Sequence, residues 1–136
     1  MSSQVRRQMT LYWADQGRGY GYGVPIAAGF LALSYGLGAP WAAYVEYSTP
    51  GLSSHFGLPV WFIYAVCSLQ IFSALGVLWR ATAFWSASLL TVTTLGAIAV
   101  HLKVAEPLSA IPAVLYTALQ IWFATRIRAA NLRAEG

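Results

Sequence analysis

The chain has 136 residues, of which 58% are hydrophobic and only 9% charged, with a formal net charge of +4 and a mean hydropathy of +0.58. A water-soluble domain of this size could not hide so much apolar surface, and the arginines lie at the borders of apolar segments rather than in one stripe, which excludes nucleic acid as the partner. The single cysteine, Cys67, excludes an intramolecular disulfide and, inside an apolar run, reads as a small hydrophobe.

The N-terminal stretch of about residues 4–16 carries Val5, Met9, Tyr12 and Trp13 at helical spacing beside Arg6 and Arg7. It reads either as a basic amphipathic helix lying on a membrane surface or as a frayed tail. Four charge-free stretches follow, at about Tyr22–Tyr44, Leu58–Trp79, Ala81–Val100 and Leu108–Thr125. A hydrocarbon core about 30 Å thick takes roughly 20 helical residues, so each stretch is long enough to span. The first is preceded by a long polar stretch and has a longer apolar core than a secretory signal, so it is read as a retained helix. None alternates polar and apolar residues, which excludes a membrane barrel.

On the first stretch Ala28, Ala32 and Gly36 recur every four residues and would let a neighbouring helix approach. The second and third are separated only by Arg80 and its neighbours, which requires a tight antiparallel hairpin. The third carries Ser86, Ser88, Thr91, Thr93 and Thr94, able to bond along their own helix or across to another. The fourth opens at Glu106-Pro107, where proline suits the first turn and a carboxylate suits the positive helix end. The expected fold is therefore all-α, a four-transmembrane-helix bundle forming one integral membrane domain over residues 1–136.

Arg6, Arg7 and Arg18 precede the first span, Arg80 joins the second to the third, and Arg126, Arg128 and Arg133 follow the fourth; Lys103 stands alone on the other side. By the positive-inside rule both termini are cytoplasmic, and the Glu46–Gly57 and His101–Pro107 loops face outward. Tyr20, Tyr22, Trp79, Trp85 and Trp122 then fall at the inner interface, and Trp41, Tyr44, Tyr47 and Trp61 at the outer one.

Polar residues within or beside the spans are the candidate sites. Gln70, near the middle of the second span, calls either for a hydrogen bond to another helix or for a quinone or substrate contact. Gln120 in the fourth carries the same reading more weakly. Glu46, His55, His101, Lys103 and Glu106 make a polar external patch, readable as a solvated, salt-bridged turn or as a proton relay or metal-binding cluster. Within it Lys103 is expected to reach Glu106 around the turn. No phosphate loop, paired cysteines, His-x-x-x-His pair or Ser-His-Asp set is present. No Asp, Glu, Lys or Arg stands between the ends of the spans, which disfavours an ion pathway. No catalytic residue and no metal site is assigned.

The order Phe56-Gly57-Leu58-Pro59 opening a helix, then Gln70, Gly76, Arg80 and a third helix closing on His101, resembles the DoxX-like family of small four-helix membrane proteins. The segment His101-Leu102-Lys103-Val104-Ala105-Glu106-Pro107-Leu108 carries the closest likeness, and the resemblance extends over roughly Gly29–Thr125. It implies a four-helix bundle in a bacterial cytoplasmic membrane. It also implies an accessory or scaffold subunit docked in the bilayer on other membrane-protein subunits. Some members are membrane subunits of a thiosulfate:quinone oxidoreductase, which would make quinone the cofactor, with Gln70 and His101 nearest to it. Two positions depart from the pattern: Gln70 stands where a glutamate is common, and Gly36–Pro40 where a lysine is common.

Overall fold

A computed structural model describes residues 21–49 and 51–135. The amphipathic stretch expected at about 4–16 lies outside them. The described residues contain helices and no strand, in the order α1 (Gly23–Ser48), a short α2 (Leu52–Phe56), α3 (Val60–Gly76), α4 (Arg80–Lys103), a 3-10 turn (Pro107–Ala110) and α5 (Ile111–Glu135). Three apolar helical segments, Gly23–Ser48, Arg80–Lys103 and Pro107–Leu132, are long enough to cross a bilayer, while α3 is apolar but shorter at 17 residues.

At their C-terminal ends α1, α4 and α5 run past the apolar stretches read from the sequence, because a helical hydrogen-bond ladder does not stop where hydropathy falls, whereas α3 is shorter at both ends than the expected Leu58–Trp79 span. Thus α4 carries His101 and Lys103 within its last turn, where cations meet the negative helix end. In α1, Pro40 sits inside the helix and withholds the N–H that would bond the Gly36 carbonyl. At the other end of the chain Pro107 opens the 3-10 turn, where its missing N–H costs nothing.

The helices pack in sequence around a ring, α1 on α3, α3 on α4, α4 on α5 and α5 back on α1, and the α1–α5 seam is the thinnest of the four. The α3–α4 hairpin is closed by Thr82, whose hydroxyl donates 2.7 Å to the Gly76 carbonyl. Its backbones approach closely at Gly76, where an added Cβ would overlap Ser86 Oγ and stand 3.2 Å from Ser86 Cβ. Glycine is required there for space.

The interior mixes many alanines with four large apolar side chains, Leu31, Leu90, Phe123 and Ile127, all fully buried. The core cluster joins Val24, Ala27, Ala28 and Leu31 of α1, Val77 after α3, Ala83, Ala87 and Leu90 of α4, and Phe123, Ala124 and Ile127 of α5. Many other large apolar side chains face outward: Leu37, Phe72, Trp85 and Leu115 are 71%, 73%, 69% and 66% exposed. A soluble bundle presents polar residues there, and a continuous apolar exterior of this kind signals contact with lipid or with other protein. Within the first-span stripe, Ala28 is buried and Ala32 packs on the core. Gly36 differs, since a Cβ there would meet nothing within 4 Å; none of the described helices uses the space it leaves.

The core cluster occupies the end of the bundle that holds the start of α1, the Arg80 turn and the close of α5, here called the basic end. The opposite end carries His55 and His101 and is called the histidine end. Between them the interior turns polar.

Candidate functional site: a buried polar ladder and a histidine clasp

The polar interior is built by α5, α4 and α1 together. Gln120 is fully buried, and helical spacing puts Thr117 one turn before it on the same face of α5. Its Nε2 donates 2.7 Å to Tyr35 Oη on α1, and its Oε1 accepts from Thr94 Oγ1 on α4 at 2.9 Å. Thr117 Oγ1 in turn lies 3.0 Å from Thr94 Oγ1. With one hydrogen per hydroxyl, a directed chain runs Thr117 to Thr94 to Gln120 to Tyr35. Both threonines also lie within bonding distance of their own helix, Thr94 of the Leu90 carbonyl and Thr117 of the Ala113 carbonyl, at 3.0 and 2.8 Å. Each therefore keeps an acceptor if the ladder breaks.

The ladder ends on Tyr35. Its oxygen accepts from Gln120, and its own hydrogen has no acceptor among the described residues. The ring is held edge-on to Tyr116 at 5.4 Å, and Tyr116 stacks on Phe30 at 5.8 Å. These aromatics cross the thin α1–α5 seam at mid-bundle. Gln70, the amide most prominent in the sequence, sits beside the ladder on α3 and reaches only Thr93 Oγ1, at 3.5 Å. That is the outer limit of a hydrogen bond. Tyr35, Thr94 and Thr117 are members of the site that sequence reasoning did not single out as such; the i, i+3 pairing of Thr117 with Gln120 was the signal available.

The histidine end is a clasp between two loops. Glu106 Oε1 lies 3.1 Å from His55 Nε2, and its Oε2 lies 3.6 Å from His101 Nδ1. One carboxylate thus bridges the end of α2 and the end of α4. Phe56 stands between the two imidazoles, edge-on to both, with ring centroids 4.9 Å from His55 and 5.2 Å from His101. This spacer holds the rings apart, and among the described residues no group of three potential ligands could hold a metal ion. The His101 Nδ1 atom is buried and has no hydrogen-bond partner; the 3.6 Å approach of Glu106 is electrostatic only.

Lys103 does not extend toward Glu106. Its Nζ would lie 3.7 Å from a Cβ on Gly57, so the ammonium rests by the close of α2. That close is a Schellman turn: Leu58 N–H bonds the Ser53 carbonyl and Gly57 N–H the Ser54 carbonyl, with Gly57 at φ +64°. The close of α4 repeats the motif, with Glu106 N–H on the His101 carbonyl and Ala105 N–H on the Leu102 carbonyl. Here the left-handed position is Ala105, at φ +59°.

Glu46 stands apart from the clasp. It is buried, 2% exposed, and its carboxylate accepts from both the hydroxyl and the backbone N–H of Ser53. It thereby takes up an unpaired N–H in the first turn of α2, as a capping carboxylate does, and ties that short helix to the end of α1. The five residues of the external patch thus divide in two. His55 and His101 each meet Glu106, while Glu46 binds the start of α2 and the Lys103 ammonium lies by its close.

No family model, no curated protein and no solved structure matches the chain.

Proposed function

We propose that this chain is a DoxX-like, four-span protein of a bacterial cytoplasmic membrane, with both termini cytoplasmic, that serves as an accessory or scaffold subunit of a larger membrane complex. The observation that carries the reading is the apolar exterior: leucines and aromatic rings such as Leu37, Phe72, Trp85 and Leu115 are mostly exposed, while alanines, hydroxyls and an amide share the interior with a few large apolar side chains. The interior amides and hydroxyls bond to one another and to carbonyls of their own helices, which suits a framework better than a catalyst. For the fourth crossing, α3 supplies about 26 Å of helix at 1.5 Å per residue, and Leu58, Pro59, Val77, Leu78 and Trp79 extend its apolar length. Modest thinning of the bilayer accommodates a short span of this kind. Arg80, Arg126 and Arg128 at the basic end support the cytoplasmic assignment of that end.

A second reading, a quinone-contacting subunit of an oxidoreductase, is favoured by one observation. The Tyr35 hydroxyl has a hydrogen to offer at the thin seam, and a quinone carbonyl would accept it. In that case Tyr35, rather than Gln70 or His101, is the contact residue.

Reporter fusions and native-size measurement test these readings together. A reporter after Gly136 should read cytoplasmic and one at Ser54, which is exposed, external; an external C-terminus overturns the orientation. Purified in mild detergent, the chain should migrate with other subunits in fixed stoichiometry. Migration of the bundle alone, with quinone extractable from it and lost in Tyr35→Phe, decides for the second reading.

A further inference from the structure

At the basic end the α1–α5 seam opens into a shallow cleft of about 310 Å³, lined by Gly23, Ile26, Ala27 and Phe30 on α1 and by Leu119 and Trp122 on α5. The lining is apolar throughout. It is narrowest where Gly23 faces Trp122, since a Cβ on Gly23 would come within 3.3 Å of the indole. Towards mid-bundle its lining includes Phe30, which stacks on Tyr116. Towards the basic end stands Arg126, one turn beyond Trp122, with its guanidinium carbon 5.8 Å from the centre of the Trp122 ring. Among the described residues no carboxylate pairs with Arg126.

The cleft therefore has an apolar floor, an aromatic end at Phe30 and, among the described residues, a cation without a carboxylate partner beside Trp122, and it opens on the side exterior. An amphiphile with an acyl chain and an anionic head matches that order of surfaces. A purely apolar occupant would leave the arginine unused, and a soluble anion would leave the cleft unused. Guanidinium and phosphate oxygens are complementary in geometry as well as in charge. We propose that this cleft binds one anionic phospholipid of the leaflet facing the basic end, with one acyl chain between Ile26, Phe30, Leu119 and Trp122 and the phosphate on Arg126. The assignment rests on the membrane-spanning reading above.

The test uses the full chain purified in detergent, with phosphatidylglycerol and phosphatidylcholine of equal chain length as probes and native mass spectrometry as the readout. Phosphatidylglycerol should be retained preferentially. Arg126→Gln should cut its retention about fivefold, the weight of one basic residue against an anionic lipid, while Arg128→Gln changes it far less. Ile26→Trp, at an exposed position on the cleft wall, should lower retention of both lipids by obstructing the chain. Equal losses from Arg126→Gln and Arg128→Gln would show diffuse surface charge and overturn the proposal. An effect of Arg126→Gln with none of Ile26→Trp would show a headgroup contact only, and would also overturn it. Circular dichroism and membrane fractionation of each variant separate the two levels: a chain absent from the membrane fraction refutes the spanning reading, whereas an inserted, helical chain without lipid preference refutes the cleft alone.

Discussion

Replacing Gln120 by leucine tests whether the polar ladder, rather than Gln70, is what the bundle interior depends on. The substitution nearly preserves volume and deletes two interhelical bonds, at 2.7 Å to Tyr35 and 2.9 Å to Thr94. Interhelical side-chain bonds within membranes average about 0.6 kcal/mol, so the pair sums to about 1.2 kcal/mol. Thr94 adds no large penalty, because its hydroxyl falls back on the Leu90 carbonyl at 3.0 Å. Tyr35 loses a donor but is only half-buried. The expected loss is therefore about 1 kcal/mol. Gln70→Leu removes a single contact at 3.5 Å and should cost less than about 0.6 kcal/mol. Reversible unfolding by steric trapping, in the same detergent for both variants, measures the difference directly. If Gln70→Leu proves as costly as Gln120→Leu, the ladder is not the principal polar contact of the interior and the geometry of α5 has been misread.

Three further substitutions probe the packing and the turns. Gly76→Ala should destabilise by about 1–3 kcal/mol, the usual cost of overpacking, because the new methyl overlaps Ser86 Oγ; much of that loss should disappear in a Ser86→Ala background, and undiminished loss there would point to the backbone instead. Ala105→Gly should stabilise by about 0.5–1 kcal/mol, since it relieves an alanine held at φ +59°, offset in part by the added freedom of glycine in the unfolded chain; a loss of stability would contradict the turn. Glu106→Ala removes both imidazole contacts, yet the carboxylate is 39% exposed, so screening limits the cost to about 1 kcal/mol or less, shrinking further with added salt.

The four apolar helices were legible because each stretch between charges matched the thickness of a bilayer. Which face of each helix turned inward was not. In a soluble helix the apolar stripe marks the core, but here Leu37, Phe72 and Trp85 on the outside are more hydrophobic than Ala28, Ala74 and Ala87 on the inside, so periodicity of hydropathy carries almost no signal. The same loss of contrast explains why Gln120 read as weaker than Gln70. A central position in the span is visible in sequence, whereas the pairing of an amide with a tyrosine 85 residues away is not. The short α2 escaped notice because five residues give no period; only Gly57 marked its end. Glu46 was read as external from its place in a loop, and its burial follows from α1 continuing through to Ser48 and bringing the carboxylate onto Ser53.

The apolar exterior also shapes how this chain can change over generations. At outward positions such as Leu37 or Leu115 the neighbours are fluid, and exchange among leucine, isoleucine, phenylalanine and valine should pass with little consequence. At inward positions such as Ala83 and Ala87, which are wholly buried, even one added methylene has to displace a helix. A saturation mutagenesis map should therefore be permissive at the outward leucines and aromatics and intolerant at the buried alanines and at Leu31, Leu90, Phe123 and Ile127. Divergence should accumulate fastest at the outward apolar positions, leaving the buried alanines, the four large core side chains, Gly76 and a few hydroxyls as the slowest-changing record of its architecture.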